Sequence, residues 1–169
     1  PAEFTSKRLF DVLDLCLECK GCKVECPSSV DMAKLKYEFL SHYNQANGIS
    51  LRTRIFANIS KINRIGTQFP SLSNWVISKS IFRFLQGFIG IHPERTLPPF
   101  ASTTFSKWFR ARTLSAGKSN KGKVILFHDT FMEGNYPSVG IAATKILEQA
   151  GFEVIIVEKE CCGRPLISK

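Results

Sequence analysis

The arrangement of the cysteines constrains this chain more than any other feature. Four of its six cysteines fall in one run, Cys16-Leu-Glu-Cys19-Lys-Gly-Cys22-Lys-Val-Glu-Cys26-Pro27, and the other two are adjacent, Cys161-Cys162. A secreted disulfide scaffold spreads its cysteines along the chain so that each bridge closes a loop. Here no cysteine lies between Cys26 and Cys161. The pattern points to a reducing compartment and to thiolates that bind metal.

Spacing bears on which metal. A tetrahedral zinc site usually takes one short chelating pair and receives the second pair from a loop or helix. The spacing C-x2-C-x2-C-x3-C leaves only Lys20 and Gly21 between the middle pair, which is cramped for four ligands closing on one small ion. An iron–sulfur cube is wider, and each short step along the chain reaches another iron corner. The run has the spacing of bacterial ferredoxins, and Pro27 ends the wrap because it has no amide to continue a helix. The expected ligands are Cys16, Cys19, Cys22 and Cys26, and the expected cofactor is a [4Fe-4S] cluster. The rival readings are a zinc-stabilised helical module that recruits an acidic partner, and structural cysteines with no ligand.

In two-cluster ferredoxins the fourth cysteine of such a run serves the other cluster. Cys16, Cys19 and Cys22 then need one more ligand, and Cys26 needs three. No second C-x2-C-x2-C occurs in the sequence. Either all four hold one cluster, or a partner motif has been removed. A start at Pro1 without an initiator Met, and a stop at Lys169 just after an apparent site motif, favour removal. A cluster in this piece alone is then expected to be incomplete or absent.

The rest of the chain reads as α+β. Its 44% hydrophobic and 22% charged residues describe a globular protein and exclude wholesale disorder. From 1 to 112 the periodicity is helical, which with the cysteine run describes a helical ferredoxin-like domain. Leu9, Phe10, Leu13 and Leu17 recur at helical spacing. Asp31 reads as an N-cap, followed by an apolar stripe of Met32, Leu35 and Phe39. Leu51, Ile55, Ile59 and Ile62 mark one amphipathic helix closed by Gly66, and Leu72 to Ile89 a further one. Leu97-Pro98-Pro99-Phe100 must be extended. Residues 113–123, rich in Ser, Gly, Lys and Asn, read as a linker. Residues 124–169 read as a partial α/β (βαβ) domain. Its strands are Val124–Phe127 and Val154–Val157, and its helix is Ser138–Gln149, with Ile141, Ala142, Ile146 and Leu147 facing inward and Gly151 as its stop.

The formal net charge is +9. Between Tyr43 and Ser115 the only acidic residue is Glu94. This basic stretch could dock an acidic flavoprotein or an absent domain, or remain a solvated face. Because it carries Trp75, Phe82, Phe84 and Phe88, it could also lie on an anionic membrane surface. No nucleic-acid recognition motif accompanies it, so no nucleic-acid partner is expected. The most apolar stretch, Trp75 to Ile91, is broken by Lys79, Arg83 and Gln86, well short of the roughly 20 apolar residues a spanning helix needs. Residues 1–8 lack the apolar core of a secretory signal. The expected location is cytoplasmic, with peripheral contact at the inner membrane face as the variant.

Taken together, these motifs resemble a known family. The stretch from Cys16 to Leu40 resembles the second iron–sulfur motif of FAD-linked 2-hydroxyacid dehydrogenases. That group includes glycolate oxidase iron–sulfur subunits, the small subunit of anaerobic glycerol-3-phosphate dehydrogenase, and fused D-lactate and D-2-hydroxyglutarate dehydrogenases. Leu97-Pro-Pro-Phe100 and Lys107-Trp-Phe109 resemble the connector of the fused members. Val124-Ile-Leu-Phe-His-Asp-Thr-Phe131, followed by Cys161-Cys-Gly-Arg-Pro165, resembles the cysteine-rich CCG domain, truncated here. The resemblance implies an upstream iron–sulfur motif, a second CCG module, and FAD in the parent enzyme or a partner subunit. It implies relay of single electrons through [4Fe-4S] from an FAD-oxidised 2-hydroxyacid or glycerol-3-phosphate to an acceptor.

A second candidate site follows from the βαβ reading. Cys161, Cys162 and Gly163 come just after the second strand, and His128 and Asp129 end the first. All five sit at the carboxyl end of a parallel unit, where open α/β sheets place ligands. The alternative enzyme class is a heterodisulfide-reductase-like thiol/disulfide redox subunit working at Cys161 and Cys162. The resemblance also carries a departure from that branch, since Asp129 stands where an additional cysteine is expected. With no flavin fingerprint in the sequence, the segment alone is expected not to oxidise substrate.

Overall fold

The computed structural model describes residues 5–112, 121–157 and 162–167. The first helices are α1 (Lys7–Asp14), α2 (Gly21–Glu25), α3 (Met32–Asn47) and α4 (Leu51–Ala57). They are followed by α5 (Ile59–Gly66), α6 (Pro70–Ser78), α7 (Ser80–Phe88) and α8 (Phe105–Ala111). The remaining elements are β1 (Lys123–Leu126), α9 (Thr130–Gly134), α10 (Pro137–Gln149), β2 (Glu153–Ile156) and α11 (Arg164–Ile167). By packing they form two compact units, one of Pro1–Asn58 with Gly163–Lys169 and one of Ile59–Cys162. Mostly helical with one small sheet, the architecture is α+β.

In the first unit, α1 starts where Ser6 accepts the amide of Leu9, and α3 starts where Asp31 accepts the amide of Lys34. Both are N-caps that satisfy a donor the first helical turn leaves open. The core is Leu13, Phe39 and Leu40, with Phe10 and Tyr43 packed on it. The Phe10 and Tyr43 rings stack at 4.5 Å. The buried face of α3 differs from the stripe the sequence predicts. Met32 and Leu35 are exposed, and Ala33, Lys36, Phe39 and Leu40 are buried. The helix is turned so that a lysine points inward, because that lysine has a buried acid to meet (below).

The two amphipathic helices expected from periodicity between 51 and 89 are each broken in two. The first divides at Asn58 into α4 and α5, and the second at Lys79 into α6 and α7. Lys79 is extended (φ −74°, ψ 142°), the Ser78 hydroxyl donates to the Trp75 carbonyl at 2.7 Å, and the Lys79 ammonium lies 4.4 Å from the Trp75 ring centroid. A serine hydroxyl that bonds back to the helix backbone competes with the helix for that carbonyl. Leu97–Phe100 has no helical or strand assignment, as its prolines require. Its carbonyls are met by side-chain amides: Asn135 donates to Pro99 O at 2.9 Å and Asn74 to Phe100 O at 2.9 Å.

In the second unit β1 and β2 pair in parallel, with Lys123 opposite Glu153 and Leu126 opposite Ile156. Val154 is buried, whereas Ile125 and Ile155, opposite each other, are exposed. The helix between them buries Gly140 and Thr144. Of the four residues expected to face inward, Ala142 and Ile146 are exposed and Ile141 and Leu147 half-buried. Gly140 faces Phe105, which is fully buried; a Cβ on Gly140 would lie 2.6 Å from the Phe105 ring. A bulky aromatic from α8 thus occupies the place where an aliphatic helix face was expected. The short helix α9, between β1 and α10, was not legible in the sequence. The linker expected at 113–123 lies mostly outside the described residues.

Candidate metal centre

The cysteine run forms a loop from the end of α1 to the start of α3, with α2 inside it. Cys16 follows the last turn of α1, its amide donating to Leu13 O at 3.0 Å. Glu18 (φ 54°) and Lys20 (φ 61°) then adopt the left-handed conformation, so the chain turns sharply on both sides of Cys19. Left-handed backbone in non-glycine residues is uncommon and clusters where surroundings over-determine it. Cys22 lies in α2 and Cys26 caps its C-terminus, donating its amide to Cys22 O at 2.9 Å. Cys16 and Cys26 are half-buried, and Cys19 and Cys22 are exposed.

After Pro27 the chain curls around the Cys26 sulfur. The Val30 amide first, and the Ser28 amide next, hold its thiol below the ordinary value, while the Ser29 amide donates to Cys26 O at 2.9 Å. Amide donors favour the thiolate, which is the form that ligates metal. Among the described residues, no three His, Cys, Asp or Glu side chains converge on one ion-sized point. The donor set therefore suits a thiolate-bound group in its chemistry, at Cys26 above all, without drawing the four sulfurs onto a single centre.

Beneath the loop lies a feature that the sequence reading missed. Lys36, on α3, is 1% exposed, and its ammonium donates to Cys16 O at 3.0 Å and lies 3.3 Å from Glu18 Oε1. The Glu18 side chain is 4% exposed. This ion pair joins both ends of the first loop segment to α3. Tyr37 stands beside it; burial, and then the Glu18 charge and hydrogen bond, push its phenol up. The available signal was the position of Lys36, three residues after Ala33 and three before Phe39, on the buried face. Lys23 pairs with Asp31 at 3.4 Å, and Asp31 is held low by the Lys34 amide first and by Lys23 next.

The second candidate group is only partly described. Cys161 lies outside the described residues. Cys162 is half-buried, with its sulfur 3.8 Å from Thr130 Oγ1. Asp129 is the N-cap of α9, its Oδ1 accepting the amides of Phe131 at 2.8 Å and Met132 at 2.7 Å. His128 is buried, with Nε2 3.4 Å from Glu133 Oε2 and 3.4 Å from Ser106 Oγ. Gly163 has φ +78°, a conformation glycine adopts without strain.

Comparison with known proteins agrees with the motif reading. Over 144 residues, 84% of the chain, it is 31% identical to one of the subunits of anaerobic glycerol-3-phosphate dehydrogenase from Escherichia coli strain K12. Over 171 aligned positions, 89% of the chain, it is 26% identical to the probable glycolate oxidase iron-sulfur subunit of Bacillus subtilis strain 168. D-2-hydroxyglutarate dehydrogenase of Escherichia coli strain K12 matches 90% of the chain at 21% identity. These proteins are homologues of most of this chain. The chain spans 36%, 37% and 16% of their respective lengths. No family model matches, and no solved structure does.

Proposed function

We propose that this chain is an electron-transfer segment of a flavin-linked oxidoreductase. The observation that carries the reading is the cysteine loop: four thiols at ferredoxin spacing, in a backbone that turns sharply on both sides of Cys19 and closes behind Cys26 with the Ser29 amide on Cys26 O at 2.9 Å. On this reading Cys16, Cys19, Cys22 and Cys26 hold a [4Fe-4S] cluster, which accepts and releases one electron at a time. The amides of Val30 and Ser28 favour Cys26 as a thiolate, and Lys36 with Glu18 fixes the backbone that presents Cys16 and Cys19. The electrons come from a 2-hydroxyacid or glycerol-3-phosphate, in keeping with the names of the relatives, oxidised at FAD in a separate domain or subunit.

Further parts of the reading concern the rest of the chain. The domain division is 1–112, 113–123 and 124–169, and limited proteolysis checks it: cuts confined to 113–123 support it, and cuts near Asn58 refute it. Cys161 and Cys162, with His128 and Asp129, form a redox or ligand site of the CCG domain in the parent protein. No described helix is long and apolar enough to cross a membrane. Peripheral contact is assigned to α6 and α7, where Leu72, Trp75, Ile81, Phe84 and Phe88 are exposed beside Lys79 and Arg83 and Phe82 is half-buried. Co-sedimentation with anionic vesicles but not neutral ones is the expected result.

The decisive experiment is anaerobic co-production with the flavoprotein partner, followed by Cys→Ser substitution at each of the four positions. Substrate is expected to go on reducing the flavin, while onward transfer to a one-electron acceptor is lost together with iron and sulfide. Bound zinc without sulfide would replace this reading with the zinc-stabilised module.

A further inference from the structure

Two successive carbonyls at the start of the cysteine loop are taken by cationic side chains. Lys36 donates to Cys16 O, and Glu18 neutralises its charge. The next carbonyl, Leu17 O, accepts the Arg164 guanidinium at 3.0 Å. Arg164 lies 147 positions further along the chain, two residues after Cys162. It opens α11, which belongs to the first unit and packs against α4. Gly163 (φ +78°) makes the turn into that helix, and the Ile167 amide closes it on Gly163 O at 3.0 Å.

The cations around the loop are not equivalent. Lys36 is paired with Glu18 and Lys23 with Asp31, so neither leaves a net charge. Lys20 is exposed, and among the described residues no hydrogen bond or ion pair fixes its ammonium. Arg164 also forms no ion pair among the described residues, but the Leu17 bond holds its guanidinium at the residue after Cys16. Its charge is felt beneath the loop. Burial first, and Glu18 next, push the Tyr37 phenol up, and Arg164 works against them. A guanidinium keeps its charge across the ordinary pH range.

We propose that Arg164 holds the start of the cysteine loop and raises the reduction potential of the cluster bound there. The inference rests on the electron-transfer reading. Each electron taken up makes a thiolate-ligated cluster one charge more negative, and a cation fixed at the ligand loop favours that state. Arg164 acts through the peptide that follows Cys16 and through its field, so it is a positioning residue.

The test is an anaerobic redox titration of the intact parent protein, followed by electron paramagnetic resonance, with Arg164→Gln and Arg164→Lys as the variants. Gln keeps an amide donor for Leu17 O and removes the charge. Lys keeps the charge and removes the planar fork. Arg164→Gln is expected to bind iron and sulfide as the parent does and to titrate at a lower potential. That gap should narrow at high salt, because an exposed charge is screened. Arg164→Lys is expected to titrate close to the parent. Equal potentials in the parent and Arg164→Gln, a gap that salt leaves unchanged, or an equal fall in both variants would each overturn the proposal. Loss of the cluster from Arg164→Gln would make Arg164 a structural clip and overturn it as well. A parent protein without a cluster fails the electron-transfer reading itself, and this inference with it.

Discussion

Replacing Lys36 by Met keeps the length of the side chain and removes its charge. In the first unit this leaves the Glu18 carboxylate, 4% exposed, without the ammonium 3.3 Å away, and the Cys16 carbonyl without its 3.0 Å donor. Breaking a buried ion pair by deleting one partner costs about 3–5 kcal/mol, because the surviving charge stays desolvated. Removing both partners costs much less than the two single losses combined. Lys36→Met and Glu18→Gln should therefore each destabilise the unit by about 3–5 kcal/mol, and the double variant should recover about 2–3 kcal/mol of the summed loss. Trp75 and Trp108 both lie in the other unit, so tryptophan fluorescence is an internal control rather than the readout. Amide hydrogen exchange along α3 is the direct assay, since it reports local opening free energy. A Lys36→Met variant within about 0.5 kcal/mol of the parent, or strict additivity in the cycle, would refute the view that this pair fixes the cysteine loop.

Three other perturbations have definite expected outcomes. Gly140→Ala places a Cβ 2.6 Å from the Phe105 ring and 3.0 Å from Met132 Sδ, and overpacking of this kind costs about 1–3 kcal/mol, visible in the tryptophan-detected melting of the second unit. Asp129→Ala removes the acceptor for the Phe131 and Met132 amides and should cost about 1 kcal/mol in urea titrations. Asp31→Ala should lower the melting temperature at neutral pH, because the Lys34 amide and Lys23 favour the ionised carboxylate in the fold. A depressed carboxyl pKa stabilises above the unfolded value, so this difference from the parent should shrink as pH falls below about 4.

What could be read from the residues alone follows from range. Asp31 as a helix cap, the parallel strands at 124 and 154, and the irregular Pro98-Pro99 segment all rest on local rules, and the structure shows each of them. The inward turn of α3 depends on Glu18, eighteen positions from Lys36, so helical periodicity favoured Met32 and Leu35 over a lysine. The breaks at Asn58 and Lys79 interrupt apolar patterns that continue across them. The inner face of α10 is set by Phe105 from another helix, which selects Gly140 and Thr144 over the larger aliphatic residues nearby. At the cysteine loop, spacing alone identified the four thiols. The amides on Cys26 and the buried pair under Cys16 needed three dimensions.

The most direct measurement is iron, acid-labile sulfide and electron paramagnetic resonance on the intact parent protein, purified without oxygen and reduced with dithionite. The account predicts iron and sulfide in equal amounts and a reduced-cluster signal that falls, together with iron and sulfide, when Cys16, Cys19, Cys22 and Cys26 are all changed to serine. A colourless protein with no sulfide and no signal, or one unaffected by the four substitutions, would contradict it.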